Sequence, residues 1–395
     1  MNNNMNKFFL LVLSSALLLS CNDSEKGSGE ESTIEISGYI AGINDFGQPV
    51  PSFSPQEMKD KGFAYGDLLH AKIGDDIDID SIPFLTSFNE AGCFEPSFVD
   101  YNGLGDDYGF GLLNSDFHLT IGATIGDKVI VTLTEKGGYK ETYDLLKSTY
   151  PVERREDETA EQYANFRMIA TTGIEGGVLY RGSNPLNSTK NPGRYSVADS
   201  LACAVGINTE IDLADTPSGI DLCLSSDGYA STYCPQLYRN GNTMACGLTA
   251  NIFSDGFKAK MGEMVKFMTA RRPPYLIHCN EGKDRCGFVA MLLEAFMGGD
   301  VEELRSDYMI TMYNFYRTEK GSDSYLMRQS IAIDRMIWVL CHEETLDSLD
   351  TTDWDTIDVT TLGRDDLRQA AINYFKAGGA SDEDLEQLRQ ILSAR

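Results

Sequence analysis

Positive charge is what this sequence has least of: 33 lysines and arginines stand against 60 aspartates and glutamates, a formal net charge of -27. With no basic surplus to displace counterions from a phosphate backbone, nucleic acid is excluded as a partner. The same charge slows the approach of anions, so any phosphate chemistry has to be arranged in a local positive pocket. Histidine is scarce as well, and His70 and His118 lack metal-ligand spacing. The cysteines form no paired Cys-x-x-Cys motifs, which argues against zinc. The apolar run from Phe8 to Ser20 is shorter than the ~20 residues a spanning helix needs.

What that run does have is the build of a secretory signal, with Lys7 at its start and an apolar middle. It ends in Leu18-Leu19-Ser20-Cys21, which is similar to the lipobox of bacterial lipoproteins. The resemblance implies removal of residues 1–20 and acylation of Cys21, followed by a Ser-, Gly- and Glu-rich tether over residues 21–32. The sequence thus predicts an exported bacterial lipoprotein of the cell envelope, held to a membrane through its lipid with the remainder soluble.

Residues 33–148 read as a β-rich domain. "STIEISGYI", "FHLTIGATI" and "DKVIVTL" alternate apolar and polar residues with the period of strands. "NSDFHLTIGATIGDKVIVTL" is similar, over that short span, to the C-terminal β-barrel domain of the adenosylmethionine hydroxide adenosyltransferases, and no site residue is carried over. A binding or positioning role is expected. Pro151 and the charged run "VERREDE" break the strand pattern and mark the boundary.

From residue 155 to 395 helices and strands alternate, predicting an α/β fold with a parallel central sheet flanked by helices. "INTEIDLAD", from Ile207 to Asp215, suits a buried parallel strand. Phe257, Met261, Met264, Val265 and Met268 share one helical face. "PPYLIHC" supplies another strand, and "GFVAMLLEAFMGG" a strongly apolar helix closed by glycines. The C-terminal "DDLRQAAINYF" and "DEDLEQLRQIL" are amphipathic helices expected to pack on this domain.

Between that strand and that helix lies "HCNEGKDRCG", from His278 to Gly287. A loop there points several backbone amides into one bowl at a helix N-terminus, which binds phosphate. The same field stabilises a thiolate at Cys279, the nucleophile. Arg285 offers a planar fork to phosphoryl oxygens, and Lys283 adds a point charge. Asn280, Glu281, Gly282, Cys286 and Gly287 complete the phosphate-binding loop, with His278 expected to bond backbone around the cysteine. A nucleotide P-loop fits less well, since the Gly-Lys pair lacks the upstream glycine and the following Ser or Thr.

The loop resembles that of the cysteine-dependent tyrosine phosphatase superfamily, and in particular the bacterial tyrosine/serine phosphatases with His-Cys-x-x-Gly-Lys-Asp-Arg-Thr-Gly. "NFR" at Asn165, "GVLYRGSNP" from Gly177, "GINTEIDLAD", "SDYMITMYN" and "YFKAGGASDEDLEQLRQIL" are similar to that family's segments in the same order, so the resemblance spans about residues 160 to 395. It implies a phosphomonoesterase with no metal and no cofactor, acting on phosphotyrosine, phosphoserine/threonine or phosphoinositide through a cysteinyl-phosphate. Cys279 matches the nucleophile and Arg285 the phosphate-binding arginine. Asp284 is the first choice for general acid, with Asp215 and Asp255 in reserve and Asp212 structural. An inositol-phosphate phosphatase of the phytase type and a catalytically silent phosphate-binding module are the alternatives.

Three departures from the family pattern stand out. Cys286 replaces the usual hydroxyl residue, so turnover is expected to suffer; it either fills space or pairs reversibly with Cys279. Glu281 puts negative charge on the rim, disfavouring polyanions. "NFRMIATTG" lacks the acidic residue and paired glycines usual after Asn-x-Arg. Cys203, Cys223, Cys234 and Cys246 are open to either disulfides or free thiols.

Overall fold

A computed structural model describes residues 33–44, 46–101, 107–147, 153–349 and 352–394. The expectations for the leader, Cys21, the tether and Pro151 lie outside the described residues. From Ile34 onward the chain is one compact unit, built from two sheets.

The first sheet holds β1 (Glu35–Ile43), β2 (Pro49–Pro51), β3 (Leu68–Ile73), β4 (Ile77–Leu85), β5 (Pro96–Asp100), β6 (Tyr108–Leu112) and β7 (Lys128–Glu135). Their order is β2-β1-β7-β3-β4-β5-β6, antiparallel except for the β4–β5 pair. The alternation read in β1 and β7 is real: Ile36, Ile40, Val129 and Val131 face inward. The sheet curls until its edges meet, with the Tyr108 hydroxyl donating to the Pro51 carbonyl at 3.3 Å. Short helices α1 (Pro55–Asp60) and α2 (Phe117–Ile121) join its strands, and α3 (Lys140–Leu146) follows β7. "FHLTI" is therefore a helical turn and not a strand. Asp116 caps it by accepting from the Leu119 amide at 2.8 Å, and Gly122 ends it in the left-handed region at φ 95°, local signals that outweigh a period-two pattern burying only Phe117.

The second sheet runs β11 (Thr243–Ala245), β10 (Thr209–Asp212), β12 (Tyr275–Cys279), β9 (Leu179–Ser183) and β8 (Arg167–Ile169). The fold is mixed α/β, and the expectation of a parallel central sheet needs correcting on two counts. The larger sheet of the chain is mixed and largely antiparallel, and in the second sheet β8 pairs antiparallel at the edge, while β11, β10, β12 and β9 run parallel. Both β10 and β12 are buried along their whole length, so the polar Glu210, Asp212 and His278 they carry are buried with them.

Around it stand α4 (Ala160–Tyr163), α5 (Arg194–Val205), α6 (Pro217–Leu224), α7 (Cys234–Arg239), α8 (Asp255–Thr269), α9 (Asp284–Met297), α10 (Val301–Asn314), α11 (Asp323–Arg328), α12 (Arg335–Cys341), α13 (Arg364–Ala377) and α14 (Asp382–Leu392). Leu276 of β12 packs toward α5 and α7, whereas Tyr275 and Ile277 join the core of α8 and α9. The methionine face expected of α8 is buried in full. Helix α9 is buried from Cys286 to Met297 because α10 and α13 cover the side away from the sheet. The amphipathic C-terminal helices pack on α8 and α9 as expected.

One apolar core continues from Ile36 through the second sheet to Leu392. Phe94 of the first sheet meets Phe253 at 5.8 Å between ring centroids, and Phe253 meets Phe288 of α9 at 5.2 Å. The segment between β4 and β5 thereby lies against the helices that carry the loop; the Cys93 amide donates to the Ile331 carbonyl at 2.8 Å. Among the described residues no helix is long and apolar enough to cross a membrane.

Candidate active site

Strand β12 lies between β10 and β9, so the chain has gone out to β10 and β11 and returned to the middle of the sheet. Open α/β sheets bind ligands at the carboxyl end of such a switch point. Cys279 is the last residue of β12, and Asp284 opens α9 after the short loop.

The loop is held by its carbonyls. Asn165 donates from its carboxamide to Glu281 O at 3.0 Å, Arg181 donates to Gly282 O at 2.7 Å, and the Asn184 amide donates to Asn280 O at 3.1 Å, joined there by the Asn191 side chain. Asp307 of α10 clamps the arginines behind them, accepting from Arg167 Nε at 2.8 Å and from Arg181 Nη1. Burial would raise the Asp307 carboxyl, but the two guanidiniums hold it well below the usual carboxylate range. The segments "NFR", "GVLYRGSNP" and "SDYMITMYN" thus converge on one loop.

With the carbonyls tied outward, the amides are left over. Among the described residues, no backbone amide from Asn280 to Cys286 makes a hydrogen bond; Gly287, bonded to Lys283 O at 2.6 Å, is the first that does. Gly282 makes the turn possible at φ 75°, where a Cβ would stand 2.5 Å from the Gly182 carbonyl oxygen. Gly287 lies under Tyr308, whose ring would be 2.6 Å from an added Cβ.

Each expected site residue has a definite place. Cys279 is buried at the strand end, 3% exposed. Arg285 donates from Nη1 to Leu248 O at 2.6 Å, which anchors its guanidinium on the segment after β11. Asp284 is partly exposed, with Oδ1 3.4 Å from Lys283 Nζ and no hydrogen bond at that atom. Asn280 keeps a buried side-chain oxygen without a hydrogen-bond partner. Glu281 accepts from the Tyr316 hydroxyl at 2.7 Å, and burial pushes its carboxyl up to about 7.

Other placements correct the sequence reading. Lys283 donates to Asn89 Oδ1, in the segment between β4 and β5, at 2.7 Å. His278 bonds no loop backbone through its ring: Nε2 meets Glu210 Oε1 at 3.0 Å, and Nδ1 stands 3.9 Å from Asp212 Oδ1. Burial opposes its protonation, but Asp212 and Glu210 together leave its pKa above the ordinary value. Cys286 donates to Ile277 O at 3.3 Å and is fully buried, as a space-filling residue would be. The carboxylate of Asp215 is taken by the Asn184 and Asn187 amides at 2.7 and 2.9 Å, so it braces the segment beside the loop. Asp255 is exposed in the first turn of α8. Asp212 is buried and caps the backbone of Ala214 and Asp215, the structural role expected of it. All eight cysteines among the described residues are free thiols.

Sequence reasoning missed Asn89, Glu210 and Tyr316. Glu210 was within reach, since "INTEID" sets an acidic residue inside a strand read as buried. For Asn89 the sequence carries no signal.

A buried strand ending in Cys279, a loop whose amides make no hydrogen bond among the described residues and a buried helix together form the candidate site. Residues 235–394 match the model of the tyrosine phosphatase family, a stretch that takes in α8, β12, the loop and every later helix. The match supports a phosphatase-type hydrolase. No curated protein matches the chain.

Proposed function

We propose that the protein hydrolyses phosphomonoesters through a cysteinyl-phosphate on Cys279. The observation that carries this reading is the run of backbone amides without a hydrogen bond among the described residues, from Asn280 to Cys286, between that cysteine and the first turn of α9. They are donors for three phosphoryl oxygens, and the helix dipole adds to them. The Cys279 thiolate attacks phosphorus, the ester P–O bond breaks, and the leaving oxygen takes the proton of Asp284. Water then attacks phosphorus, the P–S bond breaks, and the Asp284 carboxylate takes the proton of that water. Arg285 follows the charge as it moves among the phosphoryl oxygens. Asp284 is preferred to Asp215 because both oxygens of the latter are already bonded by asparagines.

Phosphotyrosine and related singly phosphorylated groups are the proposed substrates. Glu281 beside the loop counts against inositol polyphosphates. Anchorage of the chain at a bacterial cell envelope through lipid on Cys21, and a positioning role for residues 33–148, belong to the same proposal. Hydrolysis of p-nitrophenyl phosphate in the presence of EDTA, abolished by Cys279→Ser, tests the reaction; an active Cys279→Ser chain overturns it. A panel of phosphotyrosine and phosphoserine peptides, phosphoinositides and inositol phosphates then ranks the substrates.

A further inference from the structure

Between β4 and β5 the first sheet sends one helical turn, Phe88–Glu90, against the phosphate loop. That turn is rigid. The Ser87 hydroxyl accepts from the Asn89 amide at 3.1 Å, and the buried Glu90 carboxylate accepts from the Thr86 and Ser87 amides at 2.9 and 3.1 Å. Arg328 of α11, itself buried, donates to the Asn89 carbonyl at 3.0 Å and to the Leu146 carbonyl, tying the turn down from the other side.

The Asn89 side chain so fixed reaches the loop. Its Oδ1 accepts from Lys283 Nζ at 2.7 Å and lies 3.0 Å from the Tyr316 hydroxyl oxygen. Each partner leads to an acid beside the bowl: Lys283 Nζ is 3.4 Å from Asp284 Oδ1, and the Tyr316 hydroxyl is 2.7 Å from Glu281 Oε2. Burial, with the charges of Glu281 and Asp284 adding to it, raises the pKa of Tyr101, which follows β5.

We propose that the β-rich part of the chain is a working component of the phosphatase site, and that Asn89 is its positioning residue, holding Lys283 back from Asp284. The proposal rests on the phosphatase reading of Cys279. An ammonium that is 4% exposed needs an oxygen partner. While Asn89 supplies one, the Lys283–Asp284 ion pair stays at 3.4 Å, longer than a charge-assisted hydrogen bond. Without it the ammonium closes on the Asp284 carboxylate, favours its ionised form and weakens it as a proton donor.

This predicts a dependence on leaving group that a scaffolding role would not produce. Phenyl phosphate needs its leaving oxygen protonated, whereas the stabilised p-nitrophenolate leaves without help. In the full chain, Asn89→Leu is expected to lower kcat for phenyl phosphate about tenfold, the loss of one charge-assisted hydrogen bond, while kcat for p-nitrophenyl phosphate stays within about twofold. Asn89→Asp, which keeps an acceptor, returns the ratio toward the parent. In a Lys283→Met background Asn89→Leu adds nothing further. Should Asn89→Leu fail to fold, Asn89→Ser withdraws the oxygen without placing an apolar chain there and is read the same way. Equal losses on both esters, or no loss on either, overturn the proposal and leave the phosphatase reading intact. A parent chain that hydrolyses neither ester sinks the phosphatase reading and the role of Asn89 with it.

Discussion

Arg181 and Asp307 form a buried ion pair beside the loop that follows Cys279, and the same guanidinium donates to the Gly282 carbonyl. Arg167 shares the carboxylate, so one negative charge serves two buried cations. Asp307→Asn keeps the shape and removes the charge. It is expected to destabilise the fold by about 3–5 kcal/mol, the cost of leaving a buried charge uncompensated, read as a lower urea midpoint at unchanged m. The pH dependence has a fixed sign. Because the folded carboxyl lies below its unfolded value, its stabilisation is complete above about pH 4 and is lost as pH falls through the folded value. A midpoint within about 0.5 kcal/mol of the parent, the range of ordinary surface substitutions, contradicts this account.

Gly282→Ala tests the loop itself. The residue sits at φ 75°, and an added Cβ would meet the Gly182 oxygen at 2.5 Å and the Asn165 carboxamide at 3.1 Å. The loop has to move, and with it the amides around Cys279. A displacement of about 1 Å costs on the order of a hundredfold in turnover. Steady-state kinetics on p-nitrophenyl phosphate check this; kcat/KM within threefold of the parent shows that the amide ring tolerates displacement.

The strand–loop–helix around Cys279 was legible because everything that defines it lies in one continuous stretch. β12 is a short apolar strand, α9 is an apolar helix, and Gly282 and the loop polar residues fall between them. What holds the loop was not legible in physical terms. Asp307 is 126 positions from Arg181, and no period or spacing joins them. Lys283 was read as facing phosphate because its charge suits phosphate, yet Asn89, 194 positions earlier, holds it. "FHLTI" alternates like a strand, but the Asp116 cap and the Gly122 stop decide its conformation locally. His278 was taken for a loop brace when its neighbours on the sheet, Glu210 and Asp212, offered charge.

Cys286 carries an expectation about oxidation. Its sulfur bonds the Ile277 carbonyl, and burial pushes the thiol up to about 11. A thiol that stays protonated and covered at neutral pH is a poor attacking group in disulfide exchange. Iodoacetamide applied to the folded protein at pH 8 is therefore expected to label exposed Cys203 and to spare Cys286. Peptide mapping after mild peroxide treatment is expected to contain no Cys279–Cys286 bridge. Its recovery in good yield means that the Cys286 sulfur leaves Ile277 readily and that the reversible-pair alternative is right.

Glu281 makes substrate affinity depend on pH near neutrality. Burial is the main reason its carboxyl rises to about 7; Asp284 adds to the shift, while Lys283, Arg285 and the Tyr316 hydroxyl oppose it, and Tyr101 lies in its field. Below that value the side chain is neutral. Above it a negative charge stands beside a bowl meant for phosphate, whose own second ionisation is complete by then. KM for p-nitrophenyl phosphate is expected to rise about fivefold between pH 6 and pH 8, a screened interaction of about 1 kcal/mol. Glu281→Gln, which still accepts from Tyr316, should flatten that rise and leave kcat near the parent value. Stability follows the same proton with the opposite sign to Asp307: a carboxyl raised by folding holds its proton better in the folded state, so stability falls as pH climbs from 4.5 toward 7. A Glu281→Gln chain with the full rise in KM overturns this account of Glu281.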